Sequence, residues 1–259
     1  MIIYKSEEEI RLMKKSSRIV AQILAELRAM IKPGIRTKEL DDFAEGRARE
    51  LGARPAFKEY RGYPASLCTS VNEEIIHGIP SSRVLQEGDI LSLDFGVFSE
   101  GFYGDAAVTV PVGEVSLQAR KLLAAAEAAF YQGLGKMKVG SRLSDISQAI
   151  QSYVESQGFS VIRTFVGHGI GHSLHEEPQV PNFGPPGQGP RLREGLTLAI
   201  EPMIAAGDWH EQILEDGWTA VTKDRSLAAH YEHTVALTAR GVEILSLGEE
   251  EKVQPILQG

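Results

Sequence analysis

The chain has 259 residues, 42% of them hydrophobic and 24% charged, enough for a globular body with a sizeable core. A formal net charge of -8 leaves no broad basic surface to neutralise phosphates, which argues against a direct nucleic-acid function. The single cysteine, Cys68, excludes an intramolecular disulfide framework and points to a reducing, cytoplasmic setting, and no signal peptide or bilayer-length apolar run is present, so no membrane role is expected.

Ser6 followed by Glu9 spells a capping box. Ile10, Met13, Ser17, Val20, Leu24, Leu27 and Ile31 then recur at three- and four-residue steps, which predicts a helix with one buried face running to about Met30. A second helix is expected from about Lys38 to Leu51, closed by Gly52 in the left-handed conformation. The segment Lys32 to Leu40 recurs in altered form as Lys138 to Ile146, and Gly52 then meets Gly158. Further on, Leu85 to Asp94 aligns with Leu192 to Glu201, a turn followed by an apolar strand that ends in a carboxylate in both copies. Another apolar strand follows each, Asp105 to Val110 and Glu232 to Leu237, and each is opened by an acid. Asp94 therefore corresponds to Glu201, and Asp105 to Glu232. Ahead of the second acid-bearing strand, the segment Asn182 to Pro190 is broken by prolines and glycines and is expected as a surface loop.

An acid set into or beside an apolar strand is costly unless it is paired or bound to a metal, so its repetition at equivalent places is a specific signal. The expected fold is α+β: a single catalytic domain, residues 1–259, built from two halves of about 1–115 and 116–259. An approximate two-fold axis relates the halves, which share a curved antiparallel sheet with flanking helices and bring the acids face to face near the axis.

Four carboxylates gathered in one pocket repel one another unless cations balance them. Two divalent ions supply that balance, and mixed oxygen and imidazole ligands suit first-row metals, which work in pairs about 3.5 to 4 Å apart in hydrolytic centres. If the axis passes between the ions, one carboxylate pair bridges them and the other caps each; symmetry does not fix which. The densest histidine cluster is Gly167-His-Gly-Ile-Gly-His-Ser-Leu-His-Glu-Glu-Pro178, in which His168 and His175 stand out. His172, His210, His230 and His233 read as structural or surface residues. Cys68 lacks any feature placing an activating histidine beside it and does not read as a nucleophile.

These residues carry a family resemblance over nearly the whole chain. Thr69-Ser-Val-Asn-Glu-Glu-Ile-Ile-His-Gly-Ile-Pro80, Asp94-Phe-Gly, Gly104-Asp105, Gly167-His-Gly-Ile-Gly171, His175-Glu-Glu-Pro178, Ile200-Glu-Pro202 and Glu232-His-Thr234 resemble the motifs of the type I methionine aminopeptidases. The resemblance implies the pita-bread fold of the metallopeptidases, with Asp94, Asp105, His168, Glu201 and Glu232 as ligands of two divalent ions and Asp105 and Glu232 as the bridges. The ions implied are cobalt, manganese, iron, zinc or nickel, a choice the sequence leaves open. The implied catalytic residues are His77, which contacts the substrate backbone, His175, which hydrogen-bonds the carbonyl oxygen as it becomes an oxyanion, and Glu201, which handles protons. The implied reaction is removal of the initiator methionine before a small second residue, by attack of a water held between the ions. The implied substrate pocket uses Phe57, Tyr60, Tyr63, Cys68 and Trp218, aromatic faces and a sulfur that suit a thioether. Leu174 stands where many relatives carry phenylalanine, a departure that bears on the shape of the pocket. The implied partners are N-terminal methionyl peptides and nascent chains, handled by a monomer; the zinc-finger or basic extensions that would hint at ribosome docking are absent from the sequence.

Two other readings compete. Proline-directed peptidases of the prolidase kind share the fold and the five ligands, but usually carry a substantial domain ahead of the catalytic one, and here the repeat begins within the first few residues. A binding protein that has lost catalysis should have lost ligands, whereas all five are present.

Overall fold

Both helical signals of the first half are present in the computed structural model, which describes residues 1–248; residues 249–259, the end of the second half as read from sequence, lie outside the described residues. Helix α1 spans Glu7–Met30, with the Glu9 backbone N–H donating to the Ser6 hydroxyl at 3.3 Å and the Ser6 N–H donating to the Glu9 carboxylate at 2.7 Å. Helix α2 spans Thr37–Glu50, one residue earlier at each end than expected. Helices α3 (Leu117–Leu134) and α4 (Leu143–Ser156) form the corresponding pair of the second half. Gly52 and Gly158, just past α2 and α4, have φ of 73° and 80°.

The repeat extends to individual hydrogen bonds. The N–H groups of Gly34, Thr37 and Lys38 donate to the carbonyls of Leu85, Arg83 and Ser81, and those of Gly140, Leu143 and Ser144 donate to Leu192, Pro190 and Gln188. Glu39 accepts from the Arg36 N–H at 3.1 Å, as Asp145 accepts from the Arg142 N–H at 2.8 Å. Each half thus pins the start of its second helix to the turn ahead of its acid-bearing strand.

Among the described residues, the nine-stranded main sheet includes β1 (Cys68–Val71), β2 (Ile90–Ser99), β3 (Phe102–Pro111), β4 (Gly167–Gly169), β5 (Glu176–Val180), β6 (Thr197–Ile200) and, after a short outlying strand β7 (Ala228–His230), β8 (Glu232–Thr238). Its central path runs β2, β3, β8, β6, β4, β5, with every pairing along it antiparallel. The halves meet where β3 pairs β8, Glu232 opposite Ala107. Two threonines close that seam with side-chain bonds. The Thr234 hydroxyl accepts from the Asp105 N–H at 3.0 Å and donates to its carbonyl at 2.8 Å, while the Thr109 hydroxyl accepts from the His230 N–H at 2.8 Å and donates to its carbonyl at 2.9 Å.

Strand alternation divides the sheet into two faces. In β2, Leu91, Leu93, Phe95 and Val97 pack with Val20, Ile23, Leu27 and Leu40 of the first helix pair. In the second half, Leu198, Ile200, Val235 and Leu237 pack with Leu122, Phe130, Ile146 and Ile150 of α3 and α4. Burying each such side chain contributes about 1.5 to 3 kcal/mol, so each helix pair covers one half of the outer face. The inner face is left for chemistry. One expectation is corrected here: the two acid-bearing strands do not both end in their carboxylate. Asp94 lies within β2, which continues to Ser99, whereas β6 stops at Ile200 ahead of Glu201. Pro202 follows Glu201 and has no N–H for a ladder bond, which accounts for the earlier stop.

Candidate metal centre and active site

Register alone gathers the five expected ligands on the inner face. Across β2 and β3, Asp94 lies opposite Ala107 and Gly96 opposite Asp105, so the two aspartates project to the same side. Glu232 opposite Ala107 joins them. His233 faces Ile200 across β8 and β6, which brings Glu201 into line with Glu232, and His168 faces Ala199, two residues before Glu201 on the same face. Gly96 makes room for the cluster, since a Cβ there would stand 3.2 Å from an Asp105 oxygen and 2.9 Å from the Phe57 ring.

All five side chains are buried. One group of potential ligand atoms combines Asp105, His168 and Glu232, and another combines Glu201, His230 and Glu232, so Glu232 belongs to both. Burial pushes the carboxyls of Asp94, Asp105, Glu201 and Glu232 above the ordinary carboxylate range, and for the last three the neighbouring acids push them further. Asp94 Oδ1, Asp105 Oδ1 and Glu232 Oε1 have no hydrogen-bond partner among the described residues. Orphaned carboxylate oxygens buried in a protein are costly, and divalent cations would satisfy them. His168 is prepared as a ligand: its Nδ1 donates to the Gly169 carbonyl at 2.9 Å, so Nε2 carries the lone pair, 3.5 Å from a Glu201 oxygen.

His230 is the residue that sequence reasoning set aside. It is buried, its Nε2 lies 3.7 Å from Glu201 and 3.8 Å from Glu232, and neither ring nitrogen has a hydrogen-bond partner among the described residues. The available signal was its spacing two residues ahead of Glu232, the period that puts side chains on one side of an extended chain. The other three histidines, read as structural or surface residues, serve locally. His172 meets Gly101 and Glu9, His210 meets Asp208, and His233 is held by Ser246 and Tyr231.

Above the acids, one cavity is lined by Phe57, Tyr60, Tyr63, Cys68 and Trp218 together with His77, Asp94, Asp105, Leu174 and His175. Every residue expected in the substrate pocket is there. Cys68 faces Asp94 across β1 and β2, Tyr63 meets Trp218 edge to face at 5.2 Å, and the Tyr63 hydroxyl donates to the Gly78 carbonyl at 3.0 Å. Burial pushes the Cys68 thiol well above its usual pKa, which keeps it neutral and un-nucleophilic. His77 sits at φ 61°, a conformation costly for a residue with a side chain, wedged edge-on between Phe165 and Trp218. Burial lowers His77 to about 4 and His175 to about 3, so both are neutral near pH 7 and each carries one ring proton.

Residues 11–239 match the model of metallopeptidase family M24. The chain is 52% identical to methionine aminopeptidase 1 of Bacillus subtilis over 246 residues, 95% of this chain and 99% of that one. It belongs to the methionine aminopeptidases. A methionine aminopeptidase structure from Thermotoga maritima superposes with a TM-score of 0.94 at 48% identity, covering 95% of this chain and all of that one. The prolidase of Pyrococcus furiosus shares the fold alone, with a TM-score of 0.78 at 21% identity over 66% of its length. The pita-bread architecture, metallopeptidase chemistry and use of divalent metal follow from this membership together with the buried acid and imidazole cluster. Among the described residues, no helix is long and apolar enough to cross a membrane.

Proposed function

We propose that this aminopeptidase removes the N-terminal methionine from peptides and nascent chains whose second residue is small, using two divalent ions held by Asp94, Asp105, His168, Glu201 and Glu232. The observation that carries this reading is that Asp94 and Asp105, each with an orphaned carboxylate oxygen, line a cavity walled by aromatic rings and a thiol. Such walls suit an unbranched thioether. Paired divalent ions supply polarisation of the scissile carbonyl and acidification of water near neutral pH.

The remaining work falls to side chains. Asp105 and Glu232 would each help to hold both ions; Glu232's place in both potential ligand groups supports that role. Glu201 receives the proton of the attacking water and passes it to the departing amine. His77 holds the substrate backbone beside the scissile bond. His175 donates from Nε2 to the carbonyl oxygen as negative charge gathers there, a contact that strengthens towards the transition state. The two halves act as one catalytic unit, because each contributes acids to the same cluster. The lone cysteine and acidic charge balance support a cytoplasmic setting.

Incubating the manganese-loaded protein with Met-Ala-Ser and with peptides containing Ala-Pro, and identifying the released amino acid, tests the reading. Free methionine from the first peptide alone is expected. Cleavage confined to the proline-containing peptides would replace it with the prolidase reading.

A further inference from the structure

Tyr60 sits in a tight turn, Tyr60–Gly62, where Glu59 (φ 67°) and Arg61 (φ 52°) on either side are left-handed without being glycine. Such backbone persists only where its surroundings overdetermine it. Here the Glu59 N–H donates to the Tyr63 carbonyl at 2.8 Å and the Tyr60 N–H to the Phe57 carbonyl at 2.9 Å. The turn delivers the Tyr60 hydroxyl to 2.9 Å from Nδ1 of His175 and lays the two rings nearly parallel, 17° apart with centroids 5.3 Å from each other. The other ring nitrogen of His175, Nε2, has no hydrogen-bond partner among the described residues, and the ring borders the cavity.

A neutral imidazole carries one ring proton, so one nitrogen donates and the other accepts. With the proton on Nδ1, it would point at the phenol oxygen, and Nε2 would turn a lone pair towards an oxygen gaining negative charge. With the proton on Nε2, Nδ1 must accept, and the Tyr60 hydroxyl is the donor within reach. We propose that Tyr60 is a positioning residue: its hydroxyl donates to His175 Nδ1, fixing both the ring orientation and the tautomer that presents Nε2–H to the substrate carbonyl. The proposal rests on the reading of His175 as the oxyanion donor. It assigns the Tyr60 hydroxyl a part in turnover, where an apolar wall of the methionine pocket would affect binding only.

The test compares Tyr60→Phe, His175→Ala and the double variant by steady-state kinetics on Met-Ala-Ser. The His175 tautomer is read from long-range proton–nitrogen spectra of the zinc-loaded protein, its signals assigned by their loss in His175→Ala. Removing one neutral hydrogen bond should lower kcat roughly five- to tenfold in Tyr60→Phe, with KM changed by less than about twofold. The same substitution should cost nothing more in the His175→Ala background, and the Nε2–H tautomer should lose its dominance. Equal losses of kcat in both backgrounds, a rise in KM at constant kcat, or an unaltered tautomer signature would each overturn the proposal while leaving the oxyanion role of His175 standing. A near-normal kcat in His175→Ala alone would remove that role and the proposal with it.

Discussion

Lys5 and Glu176, 171 residues apart in the chain, form a buried ion pair in which the ammonium donates to one carboxylate oxygen. The second Glu176 oxygen accepts from the Ser173 N–H at 3.2 Å, and the Lys5 N–H donates to the Gly195 carbonyl at 2.7 Å. The N-terminal segment is thereby tied to the loop that carries His175. Lys5→Met leaves the Glu176 charge buried without its partner and should cost about 3 to 5 kcal/mol, because desolvation is then uncompensated. Urea unfolding of the variant measures this, and a loss below about 1 kcal/mol would show that the pair does not hold the loop.

The bridging assignment predicts unequal metal loss. Replacing Asp105 or Glu232 with alanine should strip both ions, since each serves two, while Asp94→Ala should mainly weaken one. Metal content per chain, measured after dialysis against a fixed free manganese concentration, checks this; equal loss in all three variants contradicts the assignment.

Acid should erode the cap of α1. The Ser6 N–H and hydroxyl hold the Glu9 carboxyl below its usual range, so the folded pKa is the lower one. The stability that ionised Glu9 provides is therefore fully present above the ordinary value of about 4.3 and disappears as pH falls through the folded pKa. Ser6→Ala should cost about 1 kcal/mol at pH 7. The difference in melting temperature between the parent and Glu9→Gln should close as the pH is lowered below 4; a gap that persists there would count against the cap as its source.

Much of this site is legible in the sequence because an acid in an apolar strand is conspicuous twice over. Asp94 and Glu201, Asp105 and Glu232 could be matched before any fold was known, and strand alternation then places them on one face. The helix caps are local and equally readable. The contact between Tyr60 and His175 joins residues 115 apart through a turn of left-handed residues, which no periodicity encodes. His230 escapes for a different reason: Tyr231 separates β7 from β8, so the spacing to Glu232 crosses a break between strands. The extension of β2 beyond Asp94 depends on its hairpin partner β3, a tertiary effect that a strand pattern read in isolation does not contain.

His175→Ala should separate catalysis from metal binding. The proposed ligand set is complete without it, so both ions and the fold should remain, while loss of the proposed oxyanion donor should lower kcat by about 10² to 10³ with KM changed much less. Kinetics, metal content and melting temperature on one preparation check this. A variant with intact metals and kcat within a few-fold of the parent would contradict the role.

On the proposed reading, the buried cluster is a two-ion hydrolytic centre serving the methionine pocket. Adding manganese stepwise to metal-free protein, while counting bound ions and following methionine release from Met-Ala-Ser, tests it most directly. Binding should saturate at two ions per chain in the parent, release should require bound metal, and Glu232→Ala should show neither tight binding nor release. Methionine release that proceeds undiminished in the metal-free protein or in Glu232→Ala would contradict it.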